Sequence, residues 1–164
     1  MKSLLFHGLT LYIRFMIKVV LLGAGNVAVR LADALLSAKD VVLIQRFSRD
    51  DKMNAFFDPD IPLTTKLDEL QRADVYVIAI KDDAIGSFSK ELPQLKGLVV
   101  HTSGSVPMTA IDHHLRKGVL YPVQTFSKEQ AIDFRSVPLA IETESDEDFA
   151  ILNELASSLS DKVF

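Results

Sequence analysis

The stretch VVLLGAGNVAVRLADALL, residues 19–36, decides the fold. An apolar run enters Gly23-Ala24-Gly25, and a segment with Val27, Leu31, Ala34 and Leu35 at helical spacing leaves it. Residues 23–28 fit the pattern G-x-G-x-x-A, in which each position has a physical task. Gly23 permits a tight strand-to-helix turn. Gly25 lacks a side chain, so a pyrophosphate can approach the backbone. Ala28 is small enough for close packing of helix on strand. The helix that starts here points free N–H groups and its positive dipole end outward. Gly23, Ala24, Gly25, Asn26 and Val27 are therefore the candidate phosphate cradle; the alternative is a glycine turn that binds nothing.

Working outward, short apolar runs alternate with helical segments. Strands are expected at 17–22, 41–47, 63–65, 75–80, 97–100, 118–121 and 137–141, and helices at 26–38 and 146–159. A further helix running to Ser89 is expected to take Asp82 or Asp83 as its N-cap. Residues 162–164 read as the opening of another strand. This alternation predicts an α/β fold, a doubly wound and mostly parallel sheet in a single domain.

A chain of 164 residues can bury one real core. Its net charge of −4, with charges scattered along the chain, disfavours nucleic acid as a partner. The absence of cysteine excludes disulfides, thiolate metal sites and cysteine nucleophiles, and is compatible with a reducing cytoplasm. The apolar start MKSLLFHGLTLYIRFM is interrupted by His7 and Arg14 and lacks a small-residue cleavage site. It contains no apolar run long enough to span a bilayer. Residues 1–15 are read as an extension outside the core, with Met16 as an alternative start, in preference to a targeting segment. The unit 16–164 is read as the dinucleotide-binding domain.

About 20 residues beyond the glycine turn, an NAD site usually presents Asp or Glu to the ribose 2′-hydroxyl. This chain reads Gln45-Arg46-Phe47-Ser48-Arg49-Asp50 there. Ser48 and Arg49 can donate to a 2′-phosphate, which favours NADP. Asp50 is the counter-argument, and NAD is the alternative cofactor if it faces the ribose.

Together, IKVVLLGAGNVA, FSRD, VYVIAIKDDAI, VVHTSGSVP and GVLYPVQTFSK resemble the Rossmann-like NADP oxidoreductase family that carries a C-terminal domain of unknown function. That family is related to pyrroline-5-carboxylate reductase, prephenate dehydrogenase and 6-phosphogluconate dehydrogenase-like enzymes. The resemblance covers residues 16–164. It implies a dinucleotide-binding domain, hydride transfer involving a small-molecule C=O or C=N substrate, and a loop Ile80-Lys81-Asp82-Asp83 passing over the ribose and nicotinamide. It also implies an all-helical C-terminal domain that forms a dimer interface and one wall of the cleft. This sequence ends where that domain is expected, so truncation is part of the reading, and a homodimer is what the family pattern suggests.

Ligands of open α/β sheets bind outside the carboxyl ends of the strands. Ile80, Lys81 and Asp83 lie at one such end, with a capping role for Asp83 and a solvated Lys81 as the plainer readings. His101-Thr102-Ser103-Gly104-Ser105 lies at the next. His101 and Ser103 are the candidate catalytic residues, His101 as a general acid or substrate ligand. The competing reading is a structural turn with His101 buried against the sheet. Ser105 and Gln124 are candidate substrate ligands. His113 and His114 are adjacent in a stretch expected to be helical, where they point about 100° apart and make no metal pair. No metal site is expected. Two other functions compete with an oxidoreductase domain: a dinucleotide-binding sensor without turnover, and an inactive fragment.

Overall fold

The structure is a computed structural model, and it describes residues 2–6, 9–13, 15–127 and 129–164. His7, Arg14 and Lys128, which figure in the sequence reading, lie outside the described residues. Strands β1 (Lys2–Phe6) and β2 (Leu9–Ile13) pair antiparallel in a two-stranded sheet of their own. The main sheet is built from β3 (Ile17–Leu22), β4 (Val41–Phe47), β5 (Leu63–Thr64), β6 (Val75–Ile78), β7 (Leu98–His101), β8 (Lys117–Pro122) and β9 (Leu139–Thr143). Their order is β5-β4-β3-β6-β7-β8-β9; all pairs are parallel except β8 with β9.

Among the described residues, three α-helices cover the sheet: α1 (Asn26–Ser37), α2 (Ile85–Glu91) and α3 (Asp146–Leu159). Alternation along the strands divides the core between two faces. Val19 and Leu21 pack with Leu31, Leu35, Leu152 and Leu155 beneath α1 and α3. Val20 and Leu22 pack with Ile78, Ile85, Phe88 and Val99 beneath α2. Each fully buried leucine of this kind contributes about 2 kcal/mol. Helix α3 is held at its start by Ser145, whose side chain accepts from the Asp148 amide. Phe149, in the first turn of α3, is 46% exposed, while Leu152, Leu155 and Leu159 form the buried stripe.

The register of β4 carries an irregularity. Val19 pairs with Leu43 but Val20 pairs with Gln45, so Ile44 is passed over. The bulge rotates the end of the strand. Phe47 joins the α2 face, while Arg46, opposite Leu21, faces α1.

Other departures from expectation are local. Strand β6 ends at Ile78, and β9 lies two residues later than its apolar run. Residues 162–164 do extend the sheet: Val163 bridges Leu139 in parallel, with Leu139 N–H donating to the Lys162 carbonyl at 2.8 Å. The stretch around His113 and His114 is a turn, because Asp112 accepts from the His114 amide and closes a short loop there. No helix among the described residues is long and apolar enough to cross a membrane.

Candidate functional site

Strand order reverses between β3 and β6, so the crevice at their carboxyl ends is the expected ligand position. Gly23 stands at the end of β3 with φ +130°, in the region that favours glycine. A Cβ there would lie 2.2 Å from the Ala79 carbonyl oxygen and 2.9 Å from Ile80 Cγ2. The Gly23 amide donates to the Phe47 carbonyl at 2.9 Å, and the Ala79 amide to the Leu22 carbonyl at 2.8 Å. The turn is thus clamped between the ends of β4 and β6.

Gly25 is different. Its backbone is extended, φ −77°, and a Cβ would meet nothing within 4 Å. It is the N-cap of α1 and no side chain caps that helix. The N-terminus therefore faces open space, which fits an anion such as pyrophosphate. Ala24 and Val27 pack on the core, and Ala28 is fully buried against the sheet. The Asn26 side chain donates to the Phe126 carbonyl at 3.1 Å. Arg30 similarly donates to the Ser127 carbonyl at 3.0 Å.

At the end of β4, Ser48 is buried and its amide continues the ladder to the Thr64 carbonyl at 3.2 Å. Arg49 projects to the other face. It pairs with Glu91 at 3.0 Å and lies over the Phe88 ring at 5.9 Å. Asp50 stays in its own loop, accepting from the Lys52 amide at 3.0 Å.

Beyond β6, Ile80 is half-buried and Lys81 and Asp83 are exposed. Neither aspartate caps α2. Asp82–Ala84 forms a 3₁₀ turn, Ala84 is the N-cap, and no side chain caps it. Asp82 instead accepts from Ser105 Oγ at 2.7 Å, linking the β6 and β7 loops. From the sequence, Asp82 reads only as a possible cap and as part of the loop, and its partner Ser105 lies 23 residues away.

His101 ends β7 and is 0% exposed. Its Nδ1 accepts from the Ser103 amide at 3.2 Å, so the proton resides on Nε2, which has no partner. Burial pushes its pKa down, against smaller opposing effects of the Pro107 carbonyl, Asp82 and Glu142. Ser103 Oγ accepts from the amides of Ser105 and Val106, both at 3.2 Å, and lies 3.3 Å from Ser105 Oγ. Those contacts tie the loop together. Ser105 is the exposed hydroxyl of the pair.

Tyr121 completes this rim. A Cβ at Gly104 would lie 2.4 Å from its ring, so the ring rests on the bare backbone of the loop. Gln124 follows on the exposed turn, its amide donating to the Pro122 carbonyl at 2.8 Å. A cavity of about 720 Å³ lies elsewhere, between α1 and the end of α3, lined by Arg30, Ala34, Phe134 and Ser158. None of the candidate site residues lines it. Among the described residues, no group of three His, Cys, Asp or Glu side chains could hold a metal ion.

Comparison with known proteins agrees with this geometry. Residues 18–102, just over half of the chain, match the profile of the family described as NADP oxidoreductase coenzyme F420-dependent. A Bacteroides fragilis protein assigned as an NADP oxidoreductase is 36% identical, with a TM-score of 0.78 over 91% of this chain and 60% of its own. Prephenate dehydrogenase from A. aeolicus, solved with hydroxyphenyl propionate and NAD+, shares the fold at 12% identity and a TM-score of 0.71. The match covers 91% of this chain and 59% of the A. aeolicus enzyme. Plasmodium falciparum pyrroline carboxylate reductase, solved with NADP bound, does so at 14% identity and a TM-score of 0.67. That match covers 90% of this chain and 56% of the reductase. The chain thus spans about 60% of the length of the Bacteroides relative. No curated protein sequence matches it.

Proposed function

Because the chain belongs to the NADP oxidoreductase coenzyme F420-dependent family, we propose that residues 16–164 hold NADP across the β3–β6 crevice for hydride exchange with a small C=O or C=N compound. Residues 1–15 stand outside that unit. One observation carries the reading: at the point where strand order reverses, Gly23 is locked against Ala79 while Gly25 opens an uncapped helix end to solvent. The bound nicotinamide would supply or accept the hydride; the chain's residues bind and orient. The backbone of residues 24–27 receives the pyrophosphate at the helix N-terminus. Ser48 stands beside the adenosine ribose, and the Ile80-Lys81 segment flanks the path toward the nicotinamide. Ser105, Tyr121 and Gln124 form the lip that meets substrate, with the Ser105 hydroxyl oriented by Asp82. His101 acts as a positioning residue: its neutral ring holds the Ser103 amide and so the shape of that lip.

Thermal unfolding with added nucleotide tests the reading. NADPH at 100 times its dissociation constant stabilises the folded state by about 2.7 kcal/mol. For a chain of this size that raises Tm by roughly 5–10 °C. No shift with NADPH or NADH rejects the proposal. A shift without NADPH oxidation across a panel of small imines and 2-oxo acids limits this chain to binding.

A further inference from the structure

The end of β4 holds two arginines that face opposite ways, and they are in opposite electrostatic states. Alternation puts residues 46 and 48 on the α1 face and residues 47 and 49 on the α2 face. The packing agrees: the Phe47 ring meets Phe88 in a tilted pair at 5.7 Å, and Arg49 lies over the same Phe88 ring and pairs with Glu91. Arg49 is thus an exposed cation that already has a carboxylate.

Arg46 has none among the described residues. It is 2% exposed, and that burial pushes its pKa down. Its Nε is buried without a hydrogen-bond partner. One face of the guanidinium is taken by the Phe57 ring, 4.0 Å from Cζ to centroid. Stacking leaves the N–H edge for an acceptor. Arginine does not deprotonate in proteins, so the group stays charged, and beside it the described residues place an aromatic face but no carboxylate. Phe57 belongs to the same packed cluster as Ala24 and Val27 of the phosphate turn and Met53 of the loop after β4. Ser48, two residues on, shares that face.

We infer that Arg46, acting behind Ser48, is the residue that selects the 2′-phosphate of NADP over the 2′-hydroxyl of NAD. The inference rests on nucleotide binding in the β3–β6 crevice. Ser48 offers the hydroxyl, and Arg46 supplies from beneath a charge that water screens poorly. A dianionic group at that corner would compensate the buried cation, whereas a ribose hydroxyl would leave it bare.

Dissociation constants for NADPH and NADH, measured by cofactor fluorescence on the whole chain, test this. Methionine fills the slot of Arg46 without charge. In Arg46→Met, NADPH binding is expected to weaken about tenfold or more, and NADH binding to change less than about twofold. Arg46→Lys is expected to recover most of the loss. Arg49→Gln is expected to lose less NADPH affinity than Arg46→Met. Equal losses for both nucleotides in Arg46→Met, no loss for either, or a larger discriminating loss in Arg49→Gln overturns the inference.

A second measurement needs no variant. The wild-type preference for NADPH is expected to persist from about 0.05 to 0.5 M salt, because buried charges are screened far less than exposed ones. Its collapse over that range assigns the preference to an exposed cation and overturns the inference. Equal binding of both nucleotides by the wild type also overturns it while leaving the proposed function standing. Binding of neither rejects both.

Discussion

At Gly23 the backbone is left-handed and the space for a side chain is filled by Ala79; at Gly25 neither holds. The two glycines of one motif therefore answer to different demands, and substitution separates them. Gly23→Ala is expected to destabilise the fold by about 3 kcal/mol or more, from backbone strain plus collision with a carbonyl. Gly25→Ala is expected to cost under about 1 kcal/mol, the difference between Gly and Ala at an N-cap. It should nevertheless weaken NADPH binding by placing a methyl in the proposed pyrophosphate position. Urea unfolding and nucleotide titration of both variants check the pair. His101 adds a pH dependence of known sign. Its pKa is lowered in the folded chain from an ordinary 6.5, so below that value the unfolded chain takes up a proton that the folded chain resists. Its contribution is full above the ordinary value and is lost as pH falls toward the folded one. Tm measured from pH 8 down to pH 5 should drop less steeply in His101→Gln than in the wild type.

Among elements, α3 owes its start to one cap and one ion pair. Ser145 accepts from the Asp148 amide, and the buried Asp148 carboxylate receives the guanidinium of Arg116, which also donates to the Lys96 carbonyl at 2.7 Å. Ser145→Ala is expected to cost about 1 kcal/mol. Asp148→Ala, which strips a half-exposed Arg116 of its partner, is expected to cost about 1–2 kcal/mol, after allowance for solvent screening. Chemical denaturation measures both. Helix α3 was legible as a periodic apolar stripe. Helix α2 was not legible at its start, because Asp82 is used across a gap of 23 residues to fix Ser105, a partner that local pattern cannot reveal. The bulge in β4 was equally hidden. Nothing in VVLIQRF marks Ile44 as the residue passed over, yet that slip decides which face each later residue takes and turns Arg46 toward α1.

For the whole molecule, topology followed from the spacing of apolar runs and one glycine turn, since parallel strands joined by right-handed crossovers leave few arrangements open. The antiparallel β9 was less accessible, because an edge strand carries no mark of its direction. The positions of the candidate site residues along the strand ends were readable; their states were not. The burial of His101 and the pairing of Arg49 with a carboxylate are both properties of surroundings assembled from distant segments. The two ties from α1 to the segment after β8, Asn26 to the Phe126 carbonyl and Arg30 to the Ser127 carbonyl, have a mechanical meaning. A dinucleotide that steadies the first turn of α1 also steadies residues 124–127, about 100 positions away along the chain. Amide hydrogen exchange in that segment should slow when NADPH binds. Thermodynamic reciprocity then requires that anything gripping residues 124–127, a substrate at Gln124 included, tightens the hold on the nucleotide by the same factor.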